Sequence, residues 1–257
     1  MGFDQSAAVS PGEAGFRFPV DGSPTRQETV EVRWFRRGTL PDSMLEWFGA
    51  RTADVEIRED VYLVGAQLPD LSVKIRGGTE LDVKVFRGTV DDERLPGRAR
   101  GWIDSWEKWT FPFASAVPQL PKRRGWTAVG KERRLRTFAL RDGVAVPSRG
   151  RRASALECAV ELTAVRVNGA DWWTLGFEAT GPEEEARRAV LDAAAVRVFE
   201  DPLPDGLRLQ LTSSGSYAAL LQKLPRGKRR RRARVAAERS SRARSVGSVR
   251  PLGHLGP

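Results

Sequence analysis

Leu71-Ser72-Val73-Lys74-Ile75-Arg76-Gly77-Gly78-Thr79-Glu80-Leu81-Asp82-Val83-Lys84-Val85-Phe86 is the segment with the clearest pattern in the chain. Successive side chains of a strand point to opposite sides, so Leu71, Val73 and Ile75 share one face while Ser72, Lys74 and Arg76 share the other. Gly77-Gly78 is a hairpin signal. Beyond it Leu81, Val83 and Val85 oppose Asp82, Lys84 and Phe86. The stretch therefore predicts an antiparallel strand pair in which each strand has an apolar and a charged face.

The same alternation recurs on both sides. From Thr29 onward, Val30, Val32 and Trp34 alternate with Glu31, Arg33 and Phe35. Residues 54–64 are strand-like, and 126–140 place Lys131 and Arg133 on one face with Arg134 and Arg136 on the other. Residues 155–167 put Glu157 and Glu161 on one side with Ala159 between them. Asn168-Gly169 links them to 172–180, where Glu178 opposes Leu175 and Phe177. Residues 207–211 alternate once more. Trp102, Trp106, Trp109 and Phe111 fit either a short helix or a bulged strand. Helices are predicted over 40–48 behind Pro41-Asp42, over 183–195 where Pro182 precedes an acidic first turn, and over 216–224. Strands in hairpin succession with a few flanking helices indicate an antiparallel α+β fold, and closure of its sheet would make a β-barrel.

Composition removes several functions. One cysteine and one histidine, His254 near the end, exclude a structural zinc site and a histidine-based nucleophile triad within the fold. Cys158 cannot form an intramolecular disulfide, which fits a reducing cytoplasm. There is no run of about 18 apolar residues to suggest a membrane span. The net charge is +10, and from Arg226 onward eleven basic residues accompany one acidic residue, so residues 1–225 are neutral. Residues 1–27, rich in Gly, Pro, Ser and Ala, read as a disordered leader, 28–225 as the folded domain, and 226–257 as a disordered Arg-rich tail. Such a tail can grip nucleic acid or serve only as a solubilising extension.

The charged strand faces carry the functional information. An ordinary sheet turns such a face to water, where mixed Lys and Glu are expected. If the sheet curls around those faces, they form a basic lining suited to phosphoryl oxygens, with carboxylates able to hold Mg²⁺ or Mn²⁺.

In order and spacing, several motifs resemble the CYTH or triphosphate tunnel metalloenzyme superfamily across about residues 28–225. They are Val30-Glu31-Val32-Arg33, Tyr62-Leu63, Lys74-x-Arg76, Lys84, Lys131-x-Arg133, Glu157 and Glu161, Glu178, and Ser216-Tyr217-x-x-Leu220-Leu221. The resemblance implies an antiparallel eight-stranded barrel whose tunnel binds a triphosphate-bearing compound and, with Mg²⁺ or Mn²⁺, hydrolyses its terminal phosphoanhydride. It implies phosphate-binding roles for Arg33, Lys74, Arg76, Lys84, Lys131 and Arg133, metal-binding roles for Glu31, Glu157, Glu161 and Glu178, and catalytic roles for Glu31 and Glu178. Two positions depart from the superfamily's Glu-x-Glu-x-Lys signature, with Thr29 standing for the first Glu and Arg33 for the Lys. A hydroxyl is a poorer metal ligand than a carboxylate. The alternative is a non-catalytic polyphosphate- or nucleotide-binding module whose Arg-rich tail binds nucleic acid.

Two further features have simpler readings. Gly125 to Glu132 nearly spells a P-loop, but Glu132 replaces the hydroxyl and the segment leads into a strand. The tryptophans Trp34, Trp47, Trp109 and Trp173 sit at apolar positions and read as core.

Overall fold

The computed structural model describes residues 22–49, 55–65, 70–90, 94–96, 99–113, 125–148 and 156–224. Most of the predicted leader and the whole Arg-rich tail lie outside the described residues. The strands are β1 (Thr25–Arg37), β2 (Val55–Leu63), β3 (Leu71–Arg76), β4 (Glu80–Thr89), β5 (Asp104–Pro112), β6 (Trp126–Arg141), β7 (Val144–Ser148), β8 (Glu157–Val167) and β9 (Ala170–Thr180). Three helices accompany them, α1 (Asp42–Trp47), α2 (Glu184–Val198) and α3 (Tyr217–Lys223).

All nine strands belong to one antiparallel sheet in the order β2-β3-β4-β5-β1-β9-β8-β6-β7. Strand β2 also pairs with β6 in continuous register from Val55↔Arg134 to Leu63↔Trp126. This pairing closes eight strands into a barrel and removes their free edges. The short β7 lies outside the ring, paired only with β6.

Local chemistry explains the turns. Gly77 and Gly78 both have positive φ, at 53° and 79°, as a tight hairpin between β3 and β4 requires. Asn168 and Gly169 do the same between β8 and β9, at 52° and 79°. Ser216 begins α3 by accepting a hydrogen bond from the Ala219 N–H at its Oγ, 3.1 Å away.

The apolar core lies on the outside of the barrel wall. Val30, Val32 and Trp34 of β1, Cys158, Val160 and Leu162 of β8, and Leu175, Phe177 and Ala179 of β9 form one buried layer. Helix α2 covers them with Val190, Leu191, Ala194, Ala195 and Val198. The apolar alternation that defines these strands thus faces a helix, which leaves the opposite, charged faces to the barrel interior.

Several boundaries and one element differ from the sequence expectation. Strand β1 begins at Thr25, inside the predicted leader, because Thr25 to Glu28 pair with Thr110 to Glu107 of β5. The ambiguous tryptophan segment is strand β5. Residues 207–211 are not a strand, since one-turn helices at Pro204–Gly206 and Leu211–Ser213 bracket them. Leu209 is instead buried in the core, and its carbonyl accepts from the Arg100 N–H at 2.9 Å.

Gly101 tests this packing. A Cβ there would lie 2.6 Å from Val32 Cγ2 and 2.8 Å from Trp34 Cζ2, both buried in the core. Gly101→Ala is expected to cost about 1–3 kcal/mol through overpacking. Urea unfolding should show a lower midpoint with an unchanged slope, and an unchanged midpoint would mean that this segment is not seated on β1.

Candidate functional site

Residues directly opposite in a β-ladder share a face, so the register reveals what lines the barrel. Glu31 lies between Glu178 of β9 and Asp104 of β5. Lys74 lies between Tyr62 of β2 and Asp82 of β4, and Lys84 lies between Ser72 and Lys108. Lys131 opposes Arg58, and Arg133 opposes Glu56. Arg33, Lys74, Lys84, Lys131, Glu31 and Glu178 together line one cavity of about 80 Å³, with Asp82, Asp104, Trp106 and Tyr217 among its other walls. Charged side chains thus make up much of the wall, with free room for only a few waters.

The six basic residues expected to bind phosphate are held by carboxylates. Arg33 donates to Glu161 at 3.1 Å and to Thr174 at 3.0 Å. Arg133 donates to the other Glu161 oxygen at 2.8 Å and to Glu56 at 2.5 Å. Lys131 contacts Asp60 and the Tyr62 hydroxyl, both at 2.8 Å. Lys74 lies 3.4 Å from Asp60 and 3.5 Å from Asp82. Arg76 pairs with Asp82 at 2.6 Å. Lys84 pairs with Glu31 and lies 3.5 Å from Glu178.

Backbone and aromatic features position these groups. Gly176, opposite Arg33, leaves the space that the guanidinium occupies, since a Cβ there would stand 2.6 Å from Arg33 Cζ. Tyr217 at the start of α3 stacks on Tyr62, with ring centres 5.6 Å apart. Lys131 Nζ sits 3.9 Å from the centre of the Tyr217 ring, a cation–π contact.

The acids divide into two groups. Glu161 is saturated by Arg33, Arg133 and the Thr163 hydroxyl. Glu157 accepts from Ser148 at 2.7 Å and lies opposite Thr180, apart from the Glu31–Glu178 pair. Glu31 and Glu178 are brought together across β1 and β9. Among the described residues no three Asp, Glu, His or Cys side chains gather as a metal cluster. Two adjacent carboxylates do suit the mode in which Mg²⁺ takes one or two protein oxygens and completes its shell with waters and phosphates. Thr29 supplies no carboxylate to this set. Its buried hydroxyl donates to Glu31 at 2.6 Å instead. Burial pushes the neighbouring Asp104 carboxyl up to about 6, against the Thr89 hydrogen bond, and Glu31 adds to the rise.

Sequence reasoning missed Glu56, Arg58, Asp60, Asp104 and Lys108. The period-2 pattern in 54–64 could have revealed the first three, but the charged run Arg58-Glu59-Asp60 spans both faces and looks like a solvated edge. Asp104 and Lys108 lie in the segment whose tryptophans left helix and strand open.

The chain matches no known protein-family model and no curated protein. The CYTH likeness therefore rests on the residues quoted above.

Asp60 is the hub of one end of this lattice. Burial alone would raise its acid, but Lys74, Lys131 and Arg58 hold it well below the usual carboxylate range. Burial likewise opposes ionisation of Glu161, and Arg33 and Arg133 overcome it. A depressed carboxyl stabilises the fold at pH values above its unfolded pKa of about 4, and that contribution is lost as pH falls below it. Asp60→Ala strands Lys131 in the interior and is expected to cost about 3–5 kcal/mol at pH 7. It should also flatten the loss of stability below about pH 4. Urea midpoints between pH 3 and 7 check both, and a midpoint equal to wild type at pH 7 would contradict the pairing.

Proposed function

We propose that the barrel interior binds a triphosphate-bearing compound. The observation that supports this is the convergence of Arg33, Lys74, Lys84 and Lys131 on one cavity. Ammonium and guanidinium groups in a desolvated site bind phosphoryl oxygens strongly, by charge-assisted hydrogen bonds. Each cation now holds a carboxylate, so a phosphate oxygen would replace that carboxylate at a group already out of water. The displaced side chains would also open the room that the small cavity lacks.

A second reading, hydrolysis of the terminal phosphoanhydride, is favoured by the Glu31–Glu178 pair. Those two carboxylates would hold Mg²⁺ or Mn²⁺, and such an ion, when bound, polarises phosphoryl oxygens and lowers the pKa of water. The chain's own contribution would be to orient the phosphates and neutralise their charge through Lys74, Lys84 and Arg33. Thr29, in place of a third carboxylate, favours binding without turnover. Both readings accord with the superfamily likeness.

Calorimetry with tripolyphosphate tests the binding. Wild type should bind, and Lys74→Ala should weaken affinity by about tenfold or more, the loss of a charge-assisted hydrogen bond. Absence of binding by wild type would refute the proposal. Phosphate release with and without Mn²⁺ separates the readings, since Glu178→Ala should abolish hydrolysis while the phosphate-binding cations remain. Wild-type release no faster than that of Glu178→Ala leaves a binding module.

A further inference from the structure

Lys108 on β5 differs from every other cation of the interior. It is only 8% exposed. Among the described residues no ion pair of its Nζ with a carboxylate within 4 Å is found, whereas Arg33, Lys74, Arg76, Lys84, Lys131 and Arg133 each meet at least one. Its partners in register are Lys84 on β4 and Gln27 on β1.

The nearby acids are committed elsewhere. Glu31 and Glu178 both lie within ion-pair distance of Lys84 Nζ. Asp82 accepts from Arg76 at 2.6 Å and from the Thr110 hydroxyl at 2.7 Å. A buried ammonium without a counter-charge is costly to the fold, and an arriving anion removes that cost.

We propose that Lys108, which lies behind the cavity wall beside Lys84, itself a wall residue, is the anion seat that receives the terminal phosphoryl group of the ligand once Lys84 moves aside. This deepens the phosphate-binding reading and rests on it. The other cations must leave a carboxylate to bind phosphate. Lys108 has none to leave, so phosphate can reach it without breaking an ion pair of its own.

The seat is also sensitive to pH. The charged groups that face Lys108 are Glu178 on β9, Asp82 and Lys84 on β4 and Arg76 on β3. Burial brings its amine down to about 8, Lys84 and Arg76 act in the same direction, and Glu178 and Asp82 oppose them. A bound phosphate favours the charged form and raises the amine again. The share of affinity due to Lys108 is therefore full below about pH 8 and falls as pH rises through that value.

Calorimetry of the full chain with tripolyphosphate at pH 7 and pH 9, for wild type, Lys108→Met and Lys108→Arg, tests this. The ligand's own ionisation is common to all three proteins and cancels in the comparison. Lys108→Met should lose about tenfold or more in affinity at pH 7. Lys108→Arg should keep affinity at pH 7 and hold more of it at pH 9 than wild type, because a guanidinium does not titrate there. Lys108→Met should also unfold at a urea concentration no lower than wild type, since it deletes an unpaired buried charge. Wild type that binds at neither pH overturns the seat and the phosphate-binding reading together. Binding by wild type that Lys108→Met matches at pH 7 overturns the seat alone. So does a lowered urea midpoint of Lys108→Met, which would expose a buried partner.

Discussion

Charge taken out of water must meet opposite charge, and this barrel is built around that constraint. Strands β1, β8 and β9 turn their apolar faces outward to α2, and the charged faces turn inward. A sheet closed on itself cannot hydrate such an interior as bulk water would, so cations and carboxylates interleave across the ladder. Lys74, Lys131 and Arg58 share Asp60, while Arg33 and Arg133 share Glu161. Replacing a buried ion pair by apolar groups is often neutral or stabilising. A lattice of pairs is therefore a poor device for stability alone, which is in keeping with the proposed phosphate binding.

That chemistry follows from the kind of charge presented. Lysines and arginines already stripped of bulk water form strong bonds to phosphoryl oxygens, and under the proposed function the carboxylates that hold them would be placeholders. Aromatic groups stiffen the arrangement. Tyr217 is carried in by α3 and packs against Tyr62, Lys131 and Arg33. The helix that ends the described domain thereby contributes to the same cavity as the central strands.

How much of this was legible in the sequence depended on locality. Strands β3, β4, β8 and β9 were readable because their alternation is clean and their turns carry Gly77-Gly78 and Asn168-Gly169. Parity put Lys74 with Arg76, and Lys131 with Arg133, on one face of their strands and Lys84 opposite Val83 and Val85, but that these faces point inward depends on closure of the sheet. Strand β5 was obscured because Trp102, Trp106 and Trp109 fit a helical period as well as a strand, which hid Asp104 and Lys108. Asp60 was obscured by its charged neighbours Arg58 and Glu59. Closure was out of reach of any local pattern, since it depends on β2 meeting β6 about 70 residues later in the chain. Neither could spacing show that Glu157 would pair with Ser148, or that Glu161 would be consumed by two arginines.

The most direct measurement is a crystal structure of the full chain grown with tripolyphosphate. Phosphoryl groups inside the barrel between Lys74, Lys84 and Lys108, with Lys84 turned away from Glu31, are the predicted result. Phosphate bound only outside the barrel, with the Lys84–Glu31 and Lys131–Asp60 pairs unchanged, would contradict it.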